Sequence, residues 1–255
     1  MELILKNERY EVLGDWHTHS RYSHGIGEIE DYVKVAIGKG LKTIGVSDHG
    51  PGHVGFGVSR KKLAEMKAEI IRLRQVYPEI EIMFGIESNI LVTKDKLDIK
   101  PEEFDFFDFI CAGWHFGTID ALTLSGFTNT FANFVHPVYA KASKKQIAIN
   151  TEAVVNAIGQ GGVKFLTHPG RSAPLDLAEV TDVCVRTGTL IEINTNSMTL
   201  YPKDLEDMAQ KGAYFIISSD AHRPDRVGDF KRAETLLNKT DIDPALVVNL
   251  KKAQD

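Results

Sequence analysis

The sequence predicts an α/β fold, a parallel barrel of seven strands formed by a single domain. Short apolar and β-branched runs alternate with helical patterns along the 255 residues, which is typical of strands joined by crossover helices. Each of these seven runs is followed by, or ends in, a histidine, an acid or an asparagine. Such side chains can meet only if the strands are parallel and their carboxyl ends open at one mouth, where barrels of this kind carry their chemistry.

The strand candidates lie at residues 12–16, 43–47, 80–84, 107–111, 163–167, 190–194 and 214–218. Helical patterns separate most of them, at residues 29–39, 59–75, 144–159, 176–187, 202–211 and 229–238. Ser59 can cap free backbone N–H groups at the start of its helix, and Gly188 can end another. Residues 113–143 lack clear periodicity, and their glycines and asparagines predict a loop over the mouth that could act as a lid.

Composition and charge favour a small substrate. Thirty Lys and Arg against 35 Asp and Glu give a formal net charge of -5, whereas binding to long nucleic acid relies on many phosphate contacts. No run approaches the roughly 18 to 20 apolar residues of a membrane span, and charge interrupts the first six residues too early for a secretory signal. We therefore expect one domain over residues 1–255, located in the cytoplasm, without a membrane partner. The oligomeric state is not predicted.

The first strand candidate is followed by two histidines, His17 and His19. Because one residue separates them, an extended segment points both imidazoles the same way, and one metal ion could bind both. An isolated pair of this kind is more often incidental, but here it follows an apolar strand and opens a glycine-containing loop. His24 lies five residues on, close enough to return to the mouth, although it could also be a surface histidine.

Comparable side chains follow the other strands. His49 follows the second strand as a candidate ligand, and Asp48 beside it could orient an imidazole. Glu87 follows the third strand, where an isolated carboxylate would be costly to bury unless it met a cation. Singly, each such residue could have a structural role, but their coincidence at six strand ends indicates metal binding. The remaining candidates are His115, His168, Asp220 and His222.

The number of candidates predicts several ions. A catalytic zinc takes about three protein ligands plus water, so nine ligands fit three divalent ions. Three such ions would leave a strongly electropositive pocket, because only two of the nine ligands are carboxylates. A phosphate could bridge the ions while a metal-activated hydroxide, formed from water whose pKa falls from about 15.7 to about 7, attacks phosphorus. The nine are His17, His19, His24, His49, Glu87, His115, His168, Asp220 and His222.

Taken together, these motifs resemble those of the PHP family, named for polymerase and histidinol phosphatase. They are His-Thr-His at 17–19, Ser-Asp-His-Gly at 47–50, Gly-Ile-Glu at 85–87, the lone His115, Thr-His-Pro-Gly at 167–170 and Ser-Asp-Ala-His at 219–222. The resemblance extends from about residue 14 to beyond residue 222. It implies a distorted (β/α)7 TIM-like barrel with a trinuclear site that commonly holds zinc, manganese or iron.

The resemblance also implies which residues share an ion. One ion would take His17, His19, Glu87 and Asp220, a second Glu87, His115 and His168, and a third His24, His49 and His222. Many relatives carry Asp where this chain has His24, whereas stand-alone phosphatases of one branch carry His. That departure points to the phosphatase branch, and the lack of polymerase regions argues against replicative proofreading.

Candidates for substrate contact lie beside the motifs. Arg171 and Arg223 each follow a motif residue and could bind a phosphate with forked donors, although both could equally face solvent. Asp48 or a metal-bound water could protonate the leaving group. His53 could lie at the rim of the pocket, and His136 is interpreted as a loop surface residue.

The sequence therefore predicts a metal-dependent phosphoric ester hydrolase with three divalent ions, zinc first and manganese or iron as alternatives. The leading hypothesis is a phosphomonoesterase that hydrolyses a small phosphorylated metabolite, with histidinol phosphate as one possibility. Asp48, Arg171 and Arg223 are its candidate catalytic residues. A phosphodiesterase or 3′-exonuclease acting on short nucleotides is a second hypothesis. A non-catalytic metal-binding regulatory module is the third, and the complete ligand set argues against it.

Overall fold

The computed structural model describes residues 1–93, 95–139 and 143–253. The described strands, in chain order, are β1 (Glu2–Leu5), β2 (Glu8–Val12), β3 (Gly14–Asp15), β4 (Thr43–Val46), β5 (Glu81–Asn89), β6 (Phe109–Gly113), β7 (Val163–Leu166), β8 (Leu190–Asn194), β9 (Phe215–Ser218) and β10 (Leu250–Lys252). The described α-helices are α1 (Ile29–Gly38), α2 (Arg60–Val76), α3 (Leu124–Tyr139), α4 (Lys144–Gly159), α5 (Leu177–Thr187), α6 (Pro202–Gln210) and α7 (Lys231–Leu237).

Seven of the strands form a nearly closed parallel barrel. Strands β3 to β9 pair in chain order, each parallel to the next. The two edges approach each other just beyond their ends, where Thr18 forms a parallel bridge with Ala221 and the His19 N–H donates to the Ala221 carbonyl at 2.8 Å. The predicted distorted (β/α)7 barrel is therefore confirmed.

The helices begin and end for local reasons that the sequence indicates. The Ser59 hydroxyl accepts a hydrogen bond from the Lys62 N–H at the start of α2, and Asp176 accepts from Ala178 N–H at the start of α5. Gly188 ends α5 in the left-handed conformation, with φ of 71°. These caps leave the helices within about two residues of their predicted bounds.

The prediction of a loop over residues 113–143 is wrong, because α3 occupies much of that stretch. The side of α3 that faces α4 is polar, since the buried Asn133 exchanges two 2.9 Å hydrogen bonds with Asn150. Its exposed side carries Phe127 and Phe131. A search of the sequence for an apolar helix face directed toward the core would therefore select the exposed side of α3. The backbone of His136 lies in α3, and residues 140–142 of the predicted lid lie outside the described residues.

A small antiparallel sheet, in the order β1-β2-β10, was not predicted. The predicted strand at residues 12–16 is divided between the end of β2 and the two residues of β3. Because β2 runs directly into β3, this sheet lies at the amino end of the barrel, away from the predicted mouth. Across the described ranges, no helix is both long and apolar enough to cross a bilayer.

Candidate metal centre

The nine predicted ligands come together at the carboxyl ends of the barrel strands. Eight of them line a cavity of about 370 Å³, and the buried His17 lies just beneath it, with Nε2 3.0 Å from His19 Nε2. His17, His19 and His24 follow β3, and His49 follows β4. Glu87 lies near the end of β5, and the remaining four follow β6, β7 or β9: His115, His168, Asp220 and His222.

Glu87 is the centre of the cluster. Its carboxylate is fully buried, and the Thr167 hydroxyl donates a 2.7 Å hydrogen bond to Oε1. Five imidazoles surround it. The distances to Oε1 are 3.0 Å from His168 Nε2, 3.3 Å from His115 Nε2 and 3.4 Å from His17 Nε2, and the distances to Oε2 are 3.0 Å from His49 Nδ1 and 3.5 Å from His19 Nε2.

Asp220 forms the other acidic part of the cluster. Its Oδ1 lies 3.4 Å from His19 Nε2 and 3.4 Å from His222 Nδ1, and Asn194 donates to Oδ2 at 3.2 Å. His24 completes this side, with its ring centroid 4.3 Å from that of His222. The loop after β3 therefore does return His24 to the mouth.

The donor set fits divalent cations. Buried polar atoms without partners cost about 1 to 3 kcal/mol each, and a cation would satisfy imidazole and carboxylate lone pairs together. Among the described residues, five cluster atoms are buried without a hydrogen-bond partner: His19 Nδ1, His24 Nδ1, His49 Nδ1, Glu87 Oε2 and His115 Nε2. Three overlapping groups place their ligand atoms within 4.8 Å of one another: His17, His19 and Asp220; His49, Glu87 and His115; and His19, His24 and His49.

These groups match the ligand sets implied by the resemblance only in part. The first group contains three of the four residues predicted for the first ion and lacks Glu87. The second places His49 with Glu87 and His115, whereas the resemblance puts His168 there and gives His49 to the third ion. His168 Nε2 nevertheless lies 3.0 Å from Glu87 Oε1. The partition of ligands among ions stays a prediction.

The electrostatics of the cluster favour an ionised carboxylate among mostly neutral imidazoles. Burial raises the pKa of Glu87, but His115 and His17 outweigh that effect and hold it well below its usual value. Burial and the neighbouring His115 lower the pKa of His49 to about 4, and burial and His49 lower that of His19. Burial also opposes charge on His17, but Glu192, Glu87 and Asp220 raise its pKa well above 6.5. In the metal-bound protein, a cation would take the place of the proton on His17.

Two residues that were not assigned a role in the sequence hold the imidazoles in place. Glu192 Oε1 lies 2.7 Å from His17 Nδ1, and its Oε2 accepts the His168 N–H at 2.7 Å. Asn89 Oδ1 lies 2.9 Å from His115 Nδ1. Contacts of this kind fix the ring orientation and direct the other nitrogen toward the site. Glu192 lies two residues before the end of β8, just as Glu87 lies two residues before the end of β5. This position near a strand end could have identified Glu192 from the sequence as a residue of the site.

The backbone is strained at two of the predicted ligands. His168 has φ of 27° and Asp220 has φ of 51°, values that non-glycine residues rarely adopt. Such strain persists where the surrounding structure enforces it, and it is common at functional sites. It also turns the chain sharply after β7 and β9, which keeps both side chains at the mouth.

Asp48 is placed beneath the cluster and not in the cavity lining. It is buried, and its oxygens accept hydrogen bonds from the Ser20 N–H at 2.8 Å and from the Ser20 and Ser23 hydroxyls. Burial raises its pKa to about 6, against the effect of these bonds. Its Oδ1 lies 4.0 Å from His19 Nδ1. These contacts fit a residue that positions His19 and the loop leading to His24.

The two predicted arginines occupy different places. Arg171 lines the cavity, with Nη1 3.8 Å from Asp220 Oδ2. Arg223 is exposed and pairs with Asp225 through Nε at 3.1 Å. It is not among the described residues that line the cavity, here called the described lining. His53, the candidate for the rim, also lines the cavity. Phe56, Phe116 and Ser172 line it as well, and no motif in the sequence pointed to them.

The chain is similar to curated proteins named as phosphatases. The chain is 27% identical over 249 residues to "Probable phosphatase YcdX" of Escherichia coli O127:H6, covering 92% of this chain and 89% of that protein. It is 28% identical over 242 residues to "Probable phosphatase Shewana3_2794" of Shewanella sp. ANA-3, covering 89% and 83%.

A solved structure shares the fold. It is the histidinol phosphate phosphatase of Lactococcus lactis, in complex with zinc, L-histidinol and phosphate, with a TM-score of 0.61 and 18% identity over 91% of this chain and 95% of that one. A family model described as the PHP domain matches residues 15–196, which contain seven of the nine predicted ligands. This chain therefore belongs to the PHP domain family.

Proposed function

We propose that this protein is a metal-dependent phosphomonoesterase that hydrolyses a small phosphorylated metabolite. The broader assignment, a metal-dependent phosphoesterase, agrees with the phosphatase names of its relatives and with the zinc and phosphate in the Lactococcus lactis structure. The observation that carries the proposal is the buried Glu87 carboxylate, which is surrounded by five imidazoles at the mouth of the barrel.

The nine clustered residues would hold up to three divalent ions, with zinc as the first candidate. When bound, divalent ions lower the pKa of water and neutralise charge on phosphoryl oxygens. Glu87 would bridge ions, because its two oxygens face different groups of imidazoles. Glu192 and Asn89 would keep the rings of His17 and His115 turned toward the site.

Arg171 is the best-placed residue to bind the phosphoryl group. Its guanidinium lies at the mouth beside Asp220 and can present two parallel N–H donors to phosphate oxygens. Asp48 would act through the loop that it anchors, as a positioning residue. Arg223 would reach the substrate only if it left Asp225.

The size of the cavity supports a small ester over a polymer. A volume of about 370 Å³ is at the lower end of the range for small-molecule sites. Within the described lining, Arg171 is the one Lys or Arg side chain, so the mouth offers no row of cations along which a phosphate backbone could bind.

A two-substrate assay tests the reaction class. Protein loaded with zinc or manganese is expected to hydrolyse p-nitrophenyl phosphate much faster than bis-p-nitrophenyl phosphate. Preference for the diester would favour the phosphodiesterase hypothesis. Bound metal without hydrolysis of either ester would favour a non-catalytic module.

A pair of arginine variants tests the phosphate contact. Arg171→Ala is expected to raise KM for p-nitrophenyl phosphate about tenfold or more, because a hydrogen bond to a charged group contributes about 1.5 to 3 kcal/mol. Arg223→Ala is the matched comparison, and we expect it to change KM less than twofold. Equal increases in KM in the two variants would indicate that Arg223 also binds the substrate.

A further inference from the structure

The part of the cavity lining that does not belong to the metal cluster is mainly aromatic. His53, Phe56 and Phe116, here called the aromatic wall, line the same cavity as the predicted ligands. We propose that this wall selects phosphomonoesters whose leaving group carries an uncharged aromatic ring, which stacks on Phe56. The inference rests on the proposed phosphomonoesterase function and specifies the substrate class.

Backbone contacts hold the loop that carries His53 and Phe56, and connect it to the segment of Phe116. A Cβ at Gly57 would lie 2.6 Å from the carbonyl oxygens of Gly50 and His53, so the loop closes tightly there and requires glycine. The Gly57 N–H donates to the His53 carbonyl at 2.9 Å, and Val54 N–H donates to the Gly117 carbonyl at 2.8 Å. A preorganised wall lowers the entropy cost of holding a ligand.

The side chain of His53 is part of this fixed structure. Its Nδ1 accepts hydrogen bonds from the Phe56 N–H at 3.0 Å and the Gly55 N–H at 3.2 Å. Its ring stacks on that of His49 with a centroid separation of 5.3 Å. The wall is therefore connected directly to the metal cluster, and a ligand bound among the imidazoles would place its remaining atoms beside the wall.

Phe56 lines the cavity and is not fully covered by its neighbours. Its ring packs on His24, with centroids 4.5 Å apart and planes 24° apart, and lies 5.0 Å from the His53 ring, yet the residue remains 46% exposed. A large aromatic side chain left partly in water gains free energy when an apolar surface covers it. A second ring, in an offset-stacked or edge-to-face arrangement, gains more than its buried area alone provides.

The charges of the cavity lining disfavour a cationic leaving group. Within the described lining, the carboxylates are Glu87 and Asp220, and both are buried among imidazoles. An ammonium group on the substrate would meet Arg171 and no unpaired acid, which is unfavourable. The lining therefore favours a neutral ring over an amine such as that of histidinol.

Three phosphate esters of primary alcohols test this selectivity at matched leaving-group chemistry. The metal-loaded protein is expected to hydrolyse benzyl phosphate with kcat/KM about two- to tenfold above n-butyl phosphate, the range expected for one aromatic contact. 2-Aminoethyl phosphate is expected to be the poorest of the three. Equal rates for benzyl and butyl phosphate would overturn the inference and leave the proposed phosphomonoesterase function intact.

Variants locate the effect at the wall. Phe56→Ala should remove most of the preference for benzyl phosphate, mainly through KM, while Phe56→Tyr keeps it. Phe116→Ala is the second wall variant and should reduce the same preference. Phe131→Ala is the matched control, because Phe131 is 57% exposed on α3 and is outside the described lining. A loss of the preference in the control, or its persistence in both wall variants, would overturn the inference.

A binding measurement separates this inference from the proposed reaction. Calorimetry of the metal-loaded protein with benzylphosphonate and n-butylphosphonate requires no turnover. Tighter binding of benzylphosphonate, abolished by Phe56→Ala with unchanged metal content, supports the aromatic wall even if no ester is hydrolysed. Equal affinities for the two phosphonates in the unmutated protein would contradict it.

Discussion

Two buried carboxylates near the end of β5 show how a metal-seeking acid differs from a structural one. Asp98 accepts four hydrogen bonds, from the Ser88 hydroxyl at 2.6 Å, the Asn89 N–H at 2.8 Å, the Gly52 N–H at 2.8 Å and the Asn89 side-chain amide at 2.5 Å. Glu87 accepts a hydrogen bond from one hydroxyl, that of Thr167, and faces five imidazoles. Among the described residues, its Oε2 has no hydrogen-bond partner. The hydrogen bonds of Asp98 all come from neutral groups of the protein, whereas Glu87 lies among imidazoles and is proposed to bind a cation.

The ionisation of the two acids reflects this difference. Burial raises the pKa of Asp98, although the bonds from Ser88 and Asn89 oppose it. Burial also acts on Glu87, but the surrounding imidazoles lower its pKa well below the usual value. Neutral donors only partly offset the effect of burial on Asp98, whereas the imidazoles around Glu87, with His17 protonated, outweigh it. Burial alone does not identify a metal ligand, and the chemistry of the neighbours does.

The largest expected effect is that of Glu87→Gln on activity. Removing the Glu87 charge should lower the metal content and reduce kcat/KM for p-nitrophenyl phosphate by about a thousandfold, since metal assistance supplies several kcal/mol and each 1.36 kcal/mol is tenfold. Circular dichroism would show that the variant is folded. Glu179→Gln, at an exposed glutamate of α5, is the matched control and should retain activity. Full activity in Glu87→Gln would remove the distinction between the two acids.

Asp98→Asn should affect stability and leave the metal in place. The asparagine amide has only one oxygen that can accept hydrogen bonds. Its NH2 group would therefore face some of the N–H and O–H groups that now donate to Asp98. We expect the free energy of unfolding in urea to fall by about 2 to 4 kcal/mol, from the loss of hydrogen bonds to a charged group. Metal content should match the unmutated protein. A variant that kept its stability but lost metal would reverse the assigned roles.

A smaller effect concerns the pH dependence of the metal-free protein. The pKa of His49 is about 4 when folded and 6.5 ordinarily, so the unfolded chain takes up the proton first as the pH falls. His49 therefore contributes no penalty above pH 6.5, and it lowers the free energy of unfolding progressively between about pH 6.5 and pH 4. The raised pKa of His17 acts in the opposite direction.

Comparison with His49→Gln tests that contribution together with the effect of His49 on the pKa of His19, and the protonated His17 is present in both chains. Urea unfolding after chelator treatment should show the unmutated protein losing about 2 kcal/mol more than the variant between pH 7 and pH 4.5. Parallel pH profiles would mean that His49 is already protonated or hydrated in the folded protein, contrary to its burial.

The sequence was sufficient for the barrel and for the convergence of the nine candidates, because strand ends in a parallel barrel meet at one rim. Position after a strand places a residue at the mouth without knowledge of any contact. The same reasoning could not distinguish Arg171 from Arg223. Both follow a motif residue, but only the structure shows that Asp225 holds Arg223 outside the described lining.

Features that depend on contacts between distant elements were missed. The α3 helix lacks the usual amphipathic pattern, in which apolar residues face the core. It buries amide side chains against α4 and exposes phenylalanines. Glu192 was visible as a residue near the end of β8, but its role depends on the 2.7 Å contact with His17 across the barrel. The aromatic wall likewise depends on how a glycine-bounded loop folds over the mouth.

The converging strand ends are proposed to hold a cluster of cations around Glu87. Inductively coupled plasma mass spectrometry of protein purified without chelator measures that metal directly, with Asp98→Asn and Glu87→Gln analysed in parallel. Two to three divalent ions per chain are expected in the unmutated protein and in Asp98→Asn, and clearly fewer in Glu87→Gln. Less than one ion per chain in the unmutated protein, even after incubation with zinc or manganese, would contradict this proposal.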